Sequence, residues 1–410
     1  MSHALSYHPH CRKAPRSPSV EDVVIVGGGP TGFICALGLA QAGVRVTVIE
    51  AEPKIVDSPR AAVYHWSVIE GLEKLGIREE VEHTGITKQD YTYLVHRTGE
   101  KINFSLEVLN GRTPYPYNIH LGQHHLADIA LRRLSGYQHT SIRFDTRLTR
   151  MTQDAGGVTL QVMTPRGAES IRAGWVIGAD GAGSTVRRQL GLEFDGMTWP
   201  ERFVATNVYF DFEQYGYARA TFLIDDRYGA VIAKLDNSGL WRCTYMEEAS
   251  LPEESVRERL PRVYEAILPG AEYTIDRATP YRMHQRSASR YRVGRVALVG
   301  DAAHVTNPTG GLGLTSGLFD CFALYPVMAA VVLRGADPSI LDQYSDTRRD
   351  IFLKRISPQA VANKRLIYHA NGGGQQLEDA LVALRRLQTD RDFVLQRLMF
   401  LKSLESAIPC

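Results

Sequence analysis

Residues 23–32 read VVIVGGGPTG, a short apolar strand that runs directly into a glycine-rich turn. Gly27, Gly29 and Gly32 have the G-x-G-x-x-G spacing. In such turns the first glycine makes the tight bend and the second lets a pyrophosphate approach the backbone. The third lets the following helix pack closely on the strand. The stretch therefore predicts a turn that binds phosphate.

The segments after the turn complete a strand–helix–strand unit. The pattern predicts a helix over 31–42 and a second strand over 44–49, which ends in Glu50. Pro30 and Thr31 lie where the helix N-terminus presents free N–H groups and a partial positive charge to phosphates. The carboxylate of Glu50 can accept hydrogen bonds from ribose hydroxyls and would repel a 2′-phosphate. The unit therefore predicts a bound dinucleotide, FAD or NAD, and argues against stably bound NADP.

Two further strand ends carry a glycine beside an acid. Residues 178–184 read GADGAGS, with Arg187 three residues on, and residues 298–313 read LVGDAAHVTNPTGGLG. Asp301, directly after Gly300, is placed to bind a polyol hydroxyl. A NAD dehydrogenase needs one such site, whereas a flavin dinucleotide extended through the protein uses several. The three segments together favour FAD.

Strands of a second kind interrupt the nucleotide-binding unit. An all-β stretch is predicted at 204–245, and from about Thr315 the chain is mainly helical. We expect a disordered tail at 1–20 and a discontinuous cofactor domain at 21–90, 116–200 and 280–345. We expect a substrate-binding sheet at 91–115 and 201–279, and a C-terminal helical segment at 346–410.

Composition excludes several classes of partner. The 410 residues contain 47 Lys and Arg against 45 Asp and Glu, which gives no reason to expect nucleic-acid binding. The five cysteines lack the spacing of metal ligands, so no metal is expected, and they fit free thiols in a reducing cytosol. No uninterrupted apolar stretch reaches the roughly 20 residues of a membrane span. We therefore expect a cytoplasmic protein without integral membrane contact, as a monomer or homodimer.

The motifs, in this order, resemble the aromatic-ring hydroxylases, single-component FAD-dependent monooxygenases of the para-hydroxybenzoate hydroxylase type. The resemblance covers about residues 22–350, and residues 58–62, SPRAA, look most like the phenol, 3-hydroxyphenylpropionate and hydroxypyridine hydroxylase branch. It implies an α/β fold in which a Rossmann-like FAD-binding domain, a β-α-β unit with an antiparallel insert, is interleaved with a substrate-binding β-sheet domain. Helices follow at the C-terminus.

The resemblance also implies roles for single residues. Arg60 contacts the flavin and its diphosphate, and Gln123 contacts the ribitol or diphosphate. Asp301 binds the ribitol and the diphosphate. Pro308 flanks the isoalloxazine ring. Asp180 belongs to a segment associated with both FAD and NAD(P)H, although a structural role in its turn is equally open.

The loop after Pro308 is suited to a reduced flavin. Gly311, Leu312 and Gly313 open a predicted helix, which would aim N–H donors and a positive dipole end at the charge near N1 and C2=O. The resemblance implies that transiently bound NAD(P)H reduces FAD and that O2 then gives a C4a-hydroperoxide. Its distal oxygen hydroxylates an electron-rich phenol, aminobenzoate or hydroxypyridine. The protein must exclude water and, typically, remove a phenolic proton.

Candidates for the base are His65, His120 and Tyr217. His65 follows Arg60 by five positions, in a stretch that lies near the substrate in related hydroxylases. Phenol hydroxylases carry a catalytic Asp in this stretch, whereas this chain has Ala62, which puts a carboxylate base in doubt. Which of the three candidates acts is left open by the sequence.

The inserted sheet offers aromatic side chains on which a substrate ring would pack. Tyr209 and Trp241 are candidate substrate contacts together with Pro308, and Arg219 could orient a phenolate or carboxylate. His304 is interpreted as part of the cofactor loop.

Three other functions share parts of this pattern. A flavin-dependent halogenase would carry a Trp-x-Trp-x-Ile-Pro motif, which is absent from the sequence. An isoprenoid or quinone reductase would need a more apolar substrate domain than the predicted all-β stretch at 204–245. A non-enzymatic flavoprotein could dock through 377–404, where apolar residues recur at helical spacing with basic ones between them.

Overall fold

The computed structural model describes residues 20–57, 62–369 and 375–408. Its strands, in chain order, are β1 Val20–Val26, β2 Val46–Ile49, β3 Val63–Tyr64, β4 Ile86–Lys88, β5 Asp90–Val95, β6 Lys101–Ser105, β7 Asn118–His120, β8 Thr140–Arg143, β9 Arg147–Asp154, β10 Gly157–Thr164, β11 Gly167–Gly178, β12 Phe194–Tyr209, β13 Ala220–Ile224, β14 Ala230–Lys234, β15 Leu240–Glu248, β16 Thr274–Ala288, β17 Arg292–Val293, β18 Val296–Leu298 and β19 His304–Val305.

The helices alternate with these strands in the first half of the chain and follow one another at its end. They are α1 Pro30–Gln41, α2 Trp66–Lys74, α3 Arg78–Thr84, α4 Gln123–Leu134, α5 Thr185–Gln189, α6 Val256–Ile267, α7 Leu312–Arg334, α8 Ile340–Ile351, α9 Ser357–Tyr368, α10 Gln375–Thr389 and α11 Arg391–Lys402. A π-helical turn, Phe352–Ile356, joins α8 to α9. The α/β class predicted from the sequence is confirmed.

The first sheet brings the three glycine motifs to one edge. Its strand order is β17-β18-β11-β1-β2-β8, with β9 and β10 extending β11. The central strands run parallel, and Val26 is in register with both Ile49 and Gly178, while Gly178 is in register with Leu298. The carboxyl ends of parallel strands form the ligand-binding edge of such sheets. The second and third glycine motifs, about 150 and 270 residues after the first in the sequence, therefore follow strand ends next to it.

The second sheet forms the opposite wall of the molecule. Its order is β19-β16-β12-β15-β14-β13-β5-β6. The predicted substrate-domain boundaries at 201 and 279 fall inside β12 and β16, so these strands extend past the predicted limits. Pairing of Ser287 with His304 joins this sheet to the chain after the third motif. A small sheet, β3-β7-β4, lies between the two and aligns Val63 with His120.

The N-terminal boundary differs by one residue from the prediction. Val20, assigned to the disordered tail, is the first residue of β1 and pairs with Arg172. The rest of the predicted tail lies outside the described residues.

The longest helix, α7, forms part of the hydrophobic core. Among the described residues it is the one helix long and apolar enough to cross a membrane, with a mean hydropathy of 1.8 over its most apolar window. Of that window, 67% is buried inside the fold, against α1 and α8 among others. It also contains the buried acid Asp320. These features are those of a core helix.

A buried ion network fixes α7 behind the third motif. Asp320 accepts hydrogen bonds from Arg348 Nε at 2.8 Å, His304 Nε2 at 2.7 Å and the Gly300 N–H at 3.0 Å. Arg348 also donates to the Leu404 carbonyl at 2.6 Å. Burial alone would raise the pKa of Asp320, but His304 and Arg348 hold it below its ordinary value. The carboxylate is therefore charged inside the core and depends on its partners.

Removal of one partner should be costly. Arg348→Met leaves a charged carboxylate in the core, so we expect a loss of about 3–5 kcal/mol in the free energy of unfolding. Urea unfolding at saturating cofactor measures it. The matched control is Lys354→Met, which removes an exposed ion pair with Asp350 and should cost under about 1 kcal/mol. Equal losses in both variants would contradict the role of the network.

Candidate functional site

The strand ends of the first sheet open into one large cavity of about 960 Å³. It extends from the glycine turn past Glu50 and the second and third motifs to the loop before α7. Its far wall is the second sheet. Of the residues predicted to bind cofactor that lie within the described ranges, those lining the cavity are Gly27, Gly29, Pro30, Thr31, Glu50, Gln123, Asp180, Gly300, Asp301, Gly311 and Gly313.

Backbone packing explains the glycines of the first motif. A Cβ added to Gly27 would lie 2.3 Å from the carbonyl oxygen of Ala179, and one added to Gly32 would lie 2.0 Å from the carbonyl oxygen of Gly27. A Cβ added to Gly29 meets nothing within 4 Å. Gly27 and Gly32 are thus required by the fold, whereas the space beside Gly29 is free for a ligand. Gly32 is buried and is not among the residues that line the cavity.

Glu50 and Asp180, the acids at two of the strand ends, accept hydrogen bonds from different parts of the chain. The two oxygens of Glu50 accept the N–H groups of Gly28, at 2.6 Å, and Glu52, at 2.8 Å, which fixes the carboxylate at the rim of the turn. Asp180 accepts the Ser184 hydroxyl at 2.5 Å and the Thr185 N–H at 2.7 Å. The Asp180 contacts hold the start of α5, which favours the structural alternative for this residue.

The second and third motifs are tied together by Arg187. Its guanidinium donates to the carbonyl of Ala182 at 2.6 Å and to that of Ala302 at 2.8 Å. It also stacks 3.6 Å from the centre of the Phe194 ring. Asp301 is exposed at this point and lines the cavity. Arg187 therefore holds the backbone at Ala302, next to Asp301, and so fixes the position of Asp301 in the cavity wall.

The loop before α7 lines the same cavity. Gly311, with φ of +68°, is the N-cap residue of α7, and its N–H donates to the Pro308 carbonyl at 3.0 Å. Leu312 is the first helical residue and is buried, so it supports the loop from behind. Pro308 lines the cavity as well. The helix start was predicted from the glycines alone.

His65 lies against this loop with a fixed tautomer. Its Nδ1 is 2.7 Å from the Thr315 hydroxyl oxygen, and that hydroxyl donates its own proton to the Gly311 carbonyl at 3.1 Å. His65 Nδ1 is therefore the donor, which leaves Nε2 as an acceptor. Burial lowers the pKa of His65 to about 4, so the ring is neutral at physiological pH. His65, a candidate base from the sequence, lines the cavity.

His120 belongs to a second polar group in the cavity wall. Its Nε2 is 3.2 Å from the Tyr91 hydroxyl and its Nδ1 is 3.1 Å from Lys88 Nζ. Both His120 and Tyr91 line the cavity. Burial lowers the pKa of His120 well below its ordinary value. His65 and His120 thus both line the cavity as neutral rings.

Four predicted site residues are not among the residues that line the cavity. Tyr217 donates its hydroxyl to the Ile267 carbonyl at 2.7 Å under α6. Arg219 forms an exposed ion pair with Glu213. Tyr209 is 46% exposed at the end of β12, and Trp241 is fully buried in the core beneath α6.

The misplacement of Trp241 has a simple cause. Successive residues of a strand face opposite sides, so a one-residue error exchanges cavity and core. On β15, Arg242 and Thr244 line the cavity, while Trp241 and Cys243 pack beneath α6. Arg60 lies outside the described residues.

The substrate wall contains residues that the sequence did not single out. Arg242 is buried and donates to Asn207 Oδ1 at 3.0 Å. Burial lowers its pKa to about 10, so the guanidinium stays charged at neutral pH. A lone arginine between Trp241 and Cys243 in an apolar strand was the available signal. The rest of this wall is largely apolar and includes Phe203, Phe222, Val231, Ile232 and Met283.

The residues present fit FAD. The helix N-terminus beside Gly29 suits a diphosphate, the carboxylate of Glu50 suits a ribose, and Asp301 lies further along the same cavity for a polyol. The cavity continues to the glycine loop at α7, where a flat ring can approach the backbone.

The model of the FAD binding domain family (FAD_binding_3) matches residues 21–357. The chain belongs to this family. A 6-hydroxy-3-succinoylpyridine 3-monooxygenase of Pseudomonas putida is 42% identical over 390 residues, 94% of this chain and 98% of that protein. A para-nitrophenol 4-monooxygenase of a Pseudomonas species is 41% identical over 391 residues, 94% and 96% of the two chains.

A solved structure agrees over nearly the whole chain. The crystal structure of p-nitrophenol 4-monooxygenase from Pseudomonas putida DLL-E4 superposes with a TM-score of 0.91 at 39% identity, covering 95% of this chain and 99% of that chain. The predicted resemblance, the FAD cofactor and the function of an FAD-dependent aromatic monooxygenase are confirmed. The halogenase, reductase and docking-module alternatives are therefore set aside.

A substitution at Gly29 should separate cofactor binding from folding. Because a Cβ there meets no protein atom, Gly29→Ala should fold normally yet crowd the diphosphate, and we expect FAD affinity to fall about tenfold or more. Titration of the apoprotein with FAD and its thermal unfolding measure the two effects. Gly136→Ala, outside the cavity with its nearest contact at 3.4 Å, is the control. Unchanged affinity in Gly29→Ala would contradict this diphosphate site.

Proposed function

We propose that this monooxygenase acts on a phenol or hydroxypyridine that carries a substituent para to its ring hydroxyl, and that oxygen enters at the substituted carbon. The names of two relatives support this. In 6-hydroxy-3-succinoylpyridine, positions 3 and 6 face each other across the ring, and that enzyme is a 3-monooxygenase. In para-nitrophenol, position 4 carries the nitro group, and that enzyme is a 4-monooxygenase.

The observation that carries the proposal is the polar group at Tyr91 and His120 within a largely apolar wall. A ring hydroxyl placed against Tyr91 can be deprotonated, and a phenolate donates electron density to its ortho and para carbons. The apolar side chains hold the ring itself and exclude water. The arrangement therefore favours attack ortho or para to the hydroxyl, and the names of the two relatives favour the para carbon.

Arg242 supports the same substrate class. A charged guanidinium that lines a buried cavity stabilises an anionic or strongly polar group, such as a phenolate, nitro or carboxylate oxygen. We propose Arg242 as a substrate-orienting residue in place of Arg219, and His65 as the group that positions the loop at Gly311.

FAD, when bound, supplies a ring that accepts two electrons from NAD(P)H and activates O2. We propose that the chain holds its diphosphate at Gly29 and Pro30, its ribose at Glu50 and its ribitol at Asp301, with Gln123 nearby. The N-terminus of α7, at Gly311, would face the charged edge of the ring. In this proposal the first sheet binds cofactor and the second binds substrate.

The position of attack can be read from the products. With 4-nitrophenol, entry of oxygen at the substituted carbon expels the nitro group, so one NAD(P)H and one O2 should yield one nitrite, one benzoquinone and one water. NADH and NADPH are both offered, and nitrite and quinone are quantified, since peroxide release alone also consumes NAD(P)H. The matched control, 3-nitrophenol, should release no nitrite. Formation of 4-nitrocatechol as the main product would show ortho attack and refute the proposal.

Two neighbouring residues of β15, Trp241 and Arg242, should differ in their response to substitution, because only Arg242 lines the cavity. Arg242→Met removes a charged donor from the cavity, so we expect KM for 4-nitrophenol to rise about tenfold or more. Trp241→Phe alters the core beneath α6 and should leave KM within about twofold. Steady-state kinetics with coupled nitrite detection measure both. A larger effect from Trp241→Phe would mean that the strand presents its other face to the substrate.

A further inference from the structure

A buried lysine stands behind the cavity wall. Lys88, at the end of β4, is 5% exposed. Its Nζ lies 2.6 Å from the Arg219 carbonyl oxygen, 2.8 Å from the Lys234 carbonyl oxygen and 3.1 Å from His120 Nδ1. An ammonium group has three N–H donors, whereas a neutral amine has two donors and one lone pair. The two carbonyls accept in either state, so the third contact, to His120, can run in either direction.

His120 connects this lysine to the cavity through Tyr91. The Trp66 N–H donates to Asn118 Oδ1 at 2.8 Å, which fixes the amide so that Nδ2 donates to the Tyr91 oxygen at 2.6 Å. The hydroxyl also lies 3.2 Å from His120 Nε2, and Tyr91 lines the cavity. Tyr91 can therefore donate to His120 and accept from a ligand, or the reverse. The chain Tyr91–His120–Lys88 is reversible along its whole length.

We propose that Lys88 is the acceptor of the substrate's ring-hydroxyl proton, which reaches it through Tyr91 and His120. The substrate O–H bond breaks as its proton passes to the Tyr91 oxygen. The Tyr91 proton moves to His120 Nε2, and the His120 Nδ1 proton moves to Lys88 Nζ. The result is a phenolate that accepts a hydrogen bond from Tyr91, a neutral His120 of the other tautomer and an ammonium at Lys88. One proton is moved and net charge is unchanged.

The surroundings of Lys88 suit this role. Burial, followed by the positive charges of Arg219 and Lys234, lowers its pKa to about 6, against an opposing effect of Glu213. At neutral pH the side chain is thus a free amine that can accept a proton. The acceptor is available above about pH 6 and is lost as pH falls below it, because the lysine is then already protonated.

The two groups between substrate and lysine stay neutral. Burial raises the pKa of Tyr91, although the Asn118 donor lowers it, so the hydroxyl keeps its proton until a new one arrives. Burial, Lys88 and His65 all lower the pKa of His120, against a smaller effect of the Lys234 backbone. Both groups are therefore uncharged before the transfer, so each can accept one proton and pass another on.

This inference rests on the proposed phenol class, and 4-nitrophenol is the probe. The FAD-loaded enzyme without NAD(P)H is mixed with it across pH 5 to 9. A difference spectrum gives the ionised fraction of bound ligand, and a pH indicator in weak buffer gives the protons released. In the wild type we expect ionised ligand with little proton release above about pH 6, because the proton is retained on Lys88.

Three variants decide the outcome. Tyr91→Phe and Lys88→Met should each lower the ratio of ionised to neutral bound ligand at pH 7 about tenfold, equivalent to a one-unit rise in the ligand's bound pKa. Tyr91→Phe leaves the partners of Lys88 in place and decides the matter if Lys88→Met does not fold. Tyr93→Phe, two residues along β5 and outside the cavity lining, should match the wild type.

The alternative results are distinguishable. Bound ligand that is ionised equally in Tyr91→Phe, Lys88→Met and wild type would overturn the relay while leaving the phenol proposal intact. Release of one proton per ligand ionised by the wild type would overturn Lys88 as the acceptor. No ligand band in any protein, wild type included, would overturn the phenol class and the relay with it.

Discussion

The site depends on a contact between two pieces of backbone. Gly27 packs so closely on the carbonyl of Ala179 that a single added carbon would lie 2.3 Å from that oxygen. The contact sets β1 beside β11, and the register of β11 with β18 then carries Gly300 to the same edge. Three motifs that are far apart in the sequence become one wall of one cavity because these strand ends coincide. A long cofactor needs such a wall, since it must be held at several points.

The cofactor side could be predicted from the sequence because its chemistry is that of backbone and local turns. Gly29, Glu50 and Gly311 act through positions fixed by their own strand or helix. The substrate side could not, because it depends on which face each strand presents after pairing. Trp241 and Arg242 illustrate this, since a single step along β15 separates core from cavity. Lys88 reaches His120 only through the β3-β7-β4 sheet, and no local pattern marks that pairing.

The two walls also differ in how they use charge. Next to the cofactor motifs, the carboxylate of Asp320 is charged and accepts hydrogen bonds from Gly300, His304 and Arg348, which makes it rigid. At the substrate wall, burial holds His120 and Lys88 in uncharged forms that keep a lone pair available. Rigid charge is suited to holding a cofactor in one place. Neutral groups with a free lone pair are suited to accepting a proton and returning it within one cycle.

Arg348 joins Asp320, which holds the Gly300 amide, to the carbonyl of Leu404 near the end of the chain. The turn at Leu404, after α11, is therefore part of the support for the third motif. Thermodynamic coupling is reciprocal, so any ligand that tightens the Gly300 loop must tighten the attachment of the C-terminal residues by the same free energy. The turn at Leu404, about 100 residues beyond Gly300 in the sequence, should therefore respond when a ligand occupies the third motif.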